Sequence, residues 1–547
     1  MKQDVPSIEA GAPSDGAEMP SPSQKGPYRA GLRHSASSGI AATDAAATFA
    51  IAVTRQLALA MAELVAVRAE RVSADRNPRA VSNTTISRRS APLRRLIDWL
   101  SKIRRASRLS RQRPRAAPPA AEAASQPRDL SSLKGMFRDQ CRRELDEFLA
   151  SGDRLSLPAA KEPRVSIVIV LFNQAELTLH CLRSLALEAG LEAEVVIVDN
   201  NSTDRTGALL DRLDGARVIR APENLHFLRG VNRAAQDARG TYLLLLNNDT
   251  RVEPGAIAAA AARLDAEPSL GAVGGPIVML DGTLQEAGCI IWNDGHTQGY
   301  GRGRHPGDWE FKFRRDVDYC SGAFLMVRRD LFERLGGLDT TYAPAYFEET
   351  DLCMRIREVG FRVGYEPAAG IVHFEYGSAT TSDGARKLYT RNHKRFVVRH
   401  AAALASSHHA PGTSALIASM RDRSAGRVLI IATGGRSVLT AACRTIGQWV
   451  AKAMLDAGFA VTYCASSKTQ EDPAGADLGM PENVERAIVQ DLDGSLELLR
   501  RRRGYYNTVV LLGPERDDLP METREALESA LAGAFLINLP CRPEGAA

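Results

Sequence analysis

The chain is predicted to be α/β: a mostly parallel, Rossmann-like sheet flanked by helices, then a smaller Rossmann-like α/β unit, both preceded by a basic region that is disordered to helical. Three observations carry this. Between residues 163 and 246, short β-branched or leucine-rich runs alternate with helix-length segments, the order that yields a parallel sheet wrapped by helices. A second alternation of the same kind opens at Arg427. The chain has 547 residues, too many for a single core.

Residues 1–39 are rich in Ser, Pro, Gly and Ala and hold few large apolar side chains, too few to order a segment by burial. Residues 41–72 have helical composition and are followed by the breaker Asn77-Pro78. Residues 88–115 carry eleven Arg or Lys against one acid, Asp98. Within them Leu93, Leu96, Ile97, Leu100 and Ile103 share one helical face, with Trp99 beside it. A basic amphipathic stretch over 92–109 suits peripheral contact with a membrane surface; the alternative is a solvated basic segment. With one interleaved aromatic it does not suit nucleic acid, and no nucleic-acid partner is expected. The apolar stretch from Ile40 to Val67 is broken by Asp44, Arg55 and Glu63, so it does not span a bilayer unaided. The first residues lack an apolar signal core. A cytoplasmic protein is expected, with optional contact on the inner face of the membrane. The eight cysteines form no C-x-x-C pair and lie mostly in apolar segments, which points to a reducing compartment without zinc or disulfides.

The expected organisation is a basic N-terminal region (1–129), a helical lead-in (130–162), a main α/β domain (163–400), a linker (401–426) and a second Rossmann-like unit (427–547). The main domain opens on the run from Pro163 to Asn173, whose β-branched residues are expected to form a buried parallel strand. A helix from Leu177 to Ala189 follows, then a strand from Glu194 to Val198 that ends at Asp199. Ser202 or Thr203 is expected to cap a helix from Arg205 to Leu213. A strand at 217–220 and a helix from Gly230 to Ala238 come next, with Gly240 as the helix stop. The strand 241–246 leads into Asn247-Asn248-Asp249-Thr250. In the second unit, strands are expected at 427–432, 460–464, 507–512 and 534–538.

A carboxylate at the end of a buried strand faces the edge where open α/β sheets bind ligands. Asp199 ends one such strand and could accept hydrogen bonds from a base or ribose; as a turn residue it would cap a helix instead. Asp249 ends another. Mg²⁺ and Mn²⁺ take one or two carboxylates plus substrate phosphate oxygens, and Asn248 could orient water or phosphate. The bland alternative is strand-end turn chemistry. Glu348-Glu349-Thr350-Asp351 puts three acids in four residues ahead of a helical stretch. Such crowding raises at least one pKa, which suits a general base; the alternative is a helix start decorated with acids. Glu349 is the preferred base, Glu348 the second choice, and Asp351 the helix-start acid. His373, after a short apolar strand, is a further metal or phosphate contact or a structural histidine.

Taken together these stretches resemble the family-two glycosyltransferases, near the rhamnosyltransferase-like members. The carriers are Pro-x-Val-Ser-Ile-Val-Ile-Val-x-Phe-Asn at 163–173, Val-Asp-Asn-Asn-Ser-Thr-Asp at 198–204, Glu-Asn-Leu-x-Phe at 223–227 and Leu-Asn-Asn-Asp-Thr at 246–250. Ser-Gly-Ala-Phe-Leu-Met-Val-Arg at 321–328, Gly-Gly-Leu-Asp at 336–339, Glu-Glu-Thr-Asp-Leu-Cys-Met-Arg at 348–355 and His-x4-Ser at 373–378 complete the set. The resemblance covers about 164–395. It implies a GT-A fold, a nucleotide-diphosphate sugar donor, inversion at the anomeric carbon, a divalent cation (Mg²⁺ or Mn²⁺) and a glycan or lipid-linked acceptor in envelope polysaccharide or O-antigen synthesis, with rhamnose one option for the sugar. It places Asn173, Asp199, Asn232 and Asn248 on the donor, Asp249 and His373 at the metal, and Glu349 or Glu348 as base. The metal motif holds one acid only, and His226 stands where relatives often have Gly.

The C-terminal unit resembles the first half of a family-four GT-B glycosyltransferase, the half that usually faces the acceptor; Gly434-Gly435 alone is no phosphate fingerprint. An accessory or acceptor-docking role is expected. Two other classes remain. A silent nucleotide-sugar or glycan-binding scaffold is opposed by the intact acids. A nucleotidyltransferase would want a Gly/Arg/Lys-rich loop after the first strand, where Leu171-Phe172-Asn173-Gln174-Ala175 stands.

Overall fold

The computed structural model describes residues 130–540 apart from 376–382, 422–425, 433–440, 467–478, 514–518 and positions 189, 490 and 532. The basic segment 92–109, the 41–72 stretch and Gly434-Gly435 lie outside the described residues. Among those described, no helix is long and apolar enough to cross a membrane.

Helix α1 (Leu130–Ser151) packs through Leu145 and Phe148 on the layer beneath the first strand. The chain then alternates as its pattern requires: β1 (Val165–Leu171), α2 (Ala175–Ala186), β2 (Ala193–Asp199), α3 (Thr206–Leu210), β3 (Ala216–Arg220), α4 (His226–Asp237) and β4 (Tyr242–Leu246). These four strands pair in parallel, with Val168 opposite both Val196 and Leu245. β1, β2 and β4 are almost wholly buried, which explains their unbroken apolar runs. After β5 (Thr250–Val252) and α5 (Ala256–Ala266) come β6 (Leu270–Gly274), β7 (Pro276–Val278), β8 (Leu284–Ala287), the hairpin β9 (Cys289–Ile291) and β10 (Thr297–Gly299), β11 (Arg315–Asp316) and β12 (Phe324–Arg328). Helix α6 (Glu348–Glu358), β13 (Arg362–Tyr365), β14 (Ile371–His373) and helix α7 (Asp383–Arg399) follow. The main sheet has eight strands in the order β11-β13-β6-β12-β4-β1-β2-β3, antiparallel only around β12 and at β11. A second sheet, β8-β7-β14-β5, stands at its edge.

Two details differ from the expectation. Gly240 is not a left-handed helix stop: its amide donates to Ser166 Oγ (2.8 Å), and a Cβ there would lie 2.5 Å from the Ser166 nitrogen. Close backbone approach, not turn geometry, selects glycine. Residues 401–426 are not an open linker: Ala401–Ser407 and Ala415–Ala418 are helical, and Leu404 and Ala418 join the main core. Gly412 between them takes a left-handed backbone (φ 90).

The second unit comprises β15 (Gly426–Ala432), α8 (Ala441–Asp456), β16 (Phe459–Ser466), β17 (Glu485–Val489), α9 (Leu492–Arg501), β18 (Thr508–Gly513), α10 (Met521–Leu531) and β19 (Phe535–Pro540). Its five strands are all parallel, ordered β17-β16-β15-β18-β19. β17 was not expected because its first two residues, Glu485 and Arg486, are charged and leave only a three-residue apolar run. The unit is fastened to the first by Arg502, which meets Glu485 (2.7 Å) and, across the boundary, Glu310 (2.9 Å). An Arg314–Glu482 pair adds to this.

Candidate active site

The site is built at the C-terminal ends of β1, β2 and β4. Past β4, the turn through Asn247, Asn248 and Asp249 is held on three sides. The Asn247 amide donates to the Ala323 carbonyl (3.1 Å), Asn248 Nδ2 to Thr178 Oγ1 (2.9 Å), and Thr250 Oγ1 to the Asn247 carbonyl (2.7 Å). Antiparallel pairing of β14 with β5 sets His373 opposite Thr250. The buried Asp249 carboxylate therefore lies 3.2 Å from His373 Nε2, across 124 positions of chain. His373 Nδ1 meets Gln285 Oε1 at 2.8 Å. Burial opposes the charged imidazole, but Asp249 outweighs it and the His373 pKa is raised.

Two adjacent ligands of an octahedral cation with bonds of about 2.1 Å stand about 3 Å apart, so the Asp249–His373 pair fits a Mg²⁺-sized ion. Among the described residues no group of three His, Cys, Asp or Glu forms a full cage; two protein ligands leave positions for substrate oxygens.

The strand-end loops after β1 and β2 are knitted together by Asn173. Its amide donates to Ser202 Oγ (2.8 Å), and its Oδ1 accepts from the Thr203 amide (2.8 Å). Asp199 accepts from the Ser202 amide (3.0 Å) and lies 3.9 Å from Arg220. Neither Ser202 nor Thr203 caps α3, contrary to expectation. Asp204 accepts from the Thr206 amide (2.9 Å) and from the Ala175 amide at the start of α2 (3.0 Å). Burial pushes its pKa up, but these donors and the Thr206 hydroxyl outweigh it and hold the pKa below the usual range. Asn173 and Gln174 both sit at left-handed φ (60 and 62), local strain of the kind that gathers at functional sites. Asn232 on α4 exchanges two hydrogen bonds with the Leu338 backbone (2.8 and 2.9 Å) and so braces that turn.

The acids of α6 divide by environment. Tyr346 and Phe347 precede them at left-handed φ (77 and 74), tied down by Asn392, whose amide reaches the carbonyls of Ala345 (2.8 Å) and Tyr346 (3.2 Å). Glu348 is buried with Oε2 lacking any partner. Burial first and the neighbouring Glu349 second raise its pKa well above the ordinary carboxylate value, which favours its neutral form. Glu349 is half-buried, and the Gly322 amide favours its charged form; burial first, and Glu286, outweigh this and lift its pKa to about 7. Asp351 stands in the first turn of α6, as expected of a helix-start acid, but it serves more than the helix dipole. It is wholly buried, contacting Arg355 (2.6 Å), His400 (2.9 Å), Tyr342 (3.2 Å) and Arg399 (3.2 Å). The two histidine and arginine contacts from 399–400 tie the end of α7 to α6.

Glu286, unnoticed in the sequence, sits between the two halves. It is 5% exposed, accepts from the Ser321 amide (3.1 Å), and burial raises its pKa. Its charge acts on both His373 and Glu349. The available signal was a Gln-Glu pair inside an otherwise apolar strand. Residues 321–323 are the common support: Ser321 holds Glu286, Gly322 holds Glu349, and Ala323 holds the turn that carries Asp249. His226 has φ 61, a left-handed backbone that explains a glycine preference there.

Residues 166–336 match the family model Glycosyl transferase family 2. An O-antigen biosynthesis protein, RfbC, of Myxococcus xanthus is 29% identical over 238 residues, 41% of this chain and 18% of that protein. An N-acetylglucosaminyl-diphospho-decaprenol L-rhamnosyltransferase of Mycobacterium tuberculosis (strain ATCC 25618 / H37Rv) is 28% identical over 256 residues, 42% of this chain and 82% of that enzyme. Among solved structures, a mannosyltransferase of Pyrobaculum calidifontis in complex with GDP-Man and Mn²⁺ is similar at 18% identity and a TM-score of 0.33, covering 49% of this chain and 73% of that one. The chain thus spans under a fifth of its O-antigen relative, and the second α/β unit lies outside the family match, so the resemblance of that unit to a GT-B half gains no support. With its motifs in order on a mostly parallel sheet flanked by helices, the segment 166–336 belongs to glycosyltransferase family 2.

Proposed function

We propose that the chain is an inverting, metal-dependent glycosyltransferase that moves a hexosyl unit, rhamnose being one option, from a nucleotide-diphosphate donor to a glycan or lipid-linked acceptor in polysaccharide synthesis. The observation that carries the reading is the three-residue support at 321–323, which holds a carboxylate poised near neutrality beside the turn bearing Asp249. The rhamnosyltransferase relative, by its name, acts on a lipid diphosphate sugar, which supports an acceptor of that kind.

Glu349 takes the proton of an acceptor hydroxyl as that oxygen bonds to the anomeric carbon, while the bond from that carbon to the diphosphate oxygen breaks on the opposite face. A pKa of about 7 balances ionisation against basicity at neutral pH. Glu348, kept protonated by burial, adds no second negative charge and does not compete for the proton. Asp249 and His373 would hold Mg²⁺ or Mn²⁺, which when bound offsets charge building on the leaving diphosphate. Asn173 and Asp199 line the nucleoside side, with Asn248 and Asn232 as further donor contacts. The second unit has an accessory or acceptor-docking role, held next to the catalytic part by the Arg502–Glu310 bridge. Peripheral membrane contact through 92–109 belongs to the same proposal.

The test is release of nucleoside diphosphate from dTDP-, UDP- and GDP-sugars, with and without Mn²⁺. Metal-stimulated release from one donor is expected. Pyrophosphate release from a nucleoside triphosphate and sugar phosphate would point to the nucleotidyltransferase class; binding of a nucleotide sugar with no turnover would point to a silent scaffold.

A further inference from the structure

Strand β8 does not run evenly. Against β7, Leu284 pairs with Val278 but Glu286 already pairs with Ile277, so Gln285 is the extra residue of a β-bulge. Consecutive strand residues ordinarily face opposite ways, and a bulge re-aims one of them. Here both neighbours reach the site. Gln285 Oε1 meets His373 Nδ1 at 2.8 Å, and Glu286 Oε1 takes the Ser321 amide at 3.1 Å. The bulge is packed without slack: a Cβ on Gly299 of β10 would lie 2.8 Å from the Gln285 carbonyl oxygen and 3.2 Å from Glu286 Cβ.

The amide oxygen of Gln285 can only accept, so His373 Nδ1 must carry a proton. That leaves Nε2 facing Asp249 Oδ1, 3.2 Å away. An ionised carboxylate also only accepts. A neutral His373 in this tautomer turns a lone pair towards a carboxylate, an arrangement that calls for a cation, proton or metal, between them.

We propose that the Gln285–Glu286 bulge is the positioning device for both halves of the site: Gln285 holds His373 in the Nδ1–H tautomer that offers Nε2 to a divalent cation shared with Asp249, and Glu286 holds Ser321-Gly322 so that the Gly322 amide meets Glu349. The first half rests on the metal role argued above. It also explains why two polar residues interrupt a buried strand. Outer partners of this kind typically change metal affinity by about 10–100-fold.

The test is Mn²⁺ titration of the donor-free full chain by electron paramagnetic resonance, with ¹⁵N NMR of the imidazole nitrogens. Gln285→Leu should weaken Mn²⁺ by about 10–100-fold, and Gln285→Glu, which keeps an acceptor, should recover most of it. In the metal-free unaltered chain, at a pH high enough to leave the imidazole neutral, His373 should show the Nδ1–H tautomer, a result independent of whether any variant folds. Glu286→Leu should lower kcat about 100-fold with donor KM little changed, and Glu286→Gln, still accepting from Ser321, should lose far less. Equal Mn²⁺ affinity in Gln285→Leu, or an Nε2–H tautomer in metal-free His373, overturns the Gln285 role. Equal losses in the two Glu286 variants overturn the Glu286 role. If the unaltered chain binds no Mn²⁺ at all, the metal assignment itself fails and takes the Gln285 role with it, whereas normal Mn²⁺ binding with an unaffected Gln285→Leu leaves that assignment standing.

Discussion

Glu349→Gln separates the chemical cost of the base from its structural cost. Burial and Glu286 raise the Glu349 pKa from 4.5 to about 7. Between those values the folded chain holds a proton that the unfolded chain has released, so the stability linked to this group falls as pH rises from about 4.5 to about 7 and is lost above it. At about 1.4 kcal/mol per pH unit the loss is at most about 3.5 kcal/mol; partial exposure and the coupling to Glu348 reduce it. Glutamine keeps the shape and the acceptor for the Gly322 amide but never ionises. The variant should therefore be more stable than the parent at pH 8, by about 1–3 kcal/mol, and equal to it near pH 4.5. Its rate of glycosyl transfer should drop by about 10²–10⁴. The parent's kcat/KM should climb with pH through about 7, as a base that must be ionised requires, and the variant should lack that limb. Urea titrations at pH 4.5 and 8 and a pH series of nucleoside diphosphate release supply the readouts. Parent-like turnover, or a variant no more stable at pH 8, would refute the reasoning.

Three further outcomes are expected. Asp249→Asn should abolish Mn²⁺ stimulation of nucleoside diphosphate release and cost at least about 100-fold in rate, and chelation of the parent should mimic it reversibly; an unchanged Mn²⁺ response would remove the metal role. Arg502→Met strands the buried Glu485 beside Glu310, and chemical denaturation should report a loss of about 3–5 kcal/mol; a shift under 1 kcal/mol would mean the bridge is dispensable. His226→Gly relieves a left-handed backbone at φ 61 and should raise the melting temperature through a gain of about 1 kcal/mol; a lower melting temperature would show the imidazole makes contacts worth more than that strain.

Much of this protein was legible in advance because its signals are local. The runs 165–171, 193–199 and 242–246 are buried on both faces, so they read as unbroken apolar strands, and the acids at their ends fall on the binding edge by topology. Asp199 and Asp249 were named on that basis, whereas Glu349 came from the acid cluster ahead of a helix and His373 from the family resemblance. What was missed answers to distant partners. Asp351 is the helix-start acid it looked like, but its partners Arg399 and His400, at the end of a different helix, could not be read locally. Ser202 and Thr203 looked like caps, but the neighbouring loop claims one hydroxyl and Asp204 supplies the acceptor. Segment 401–426 looked like a linker because its few apolar side chains show no period, although Leu404 and Ala418 are buried.

Chain order and residue type alone settled the alternation of strands and helices and the carboxylates at the strand ends, since hydrophobic periodicity and strand-end position act within a few residues. The pairing of Asp249 with His373, the bulge that aims Gln285 and Glu286, and the division of α6 into a neutral Glu348, a near-neutral Glu349 and an ion-paired Asp351 arose only on folding. Each depends on the register between strands far apart in the chain, and on how much water and opposite charge the packed interior leaves around a carboxylate.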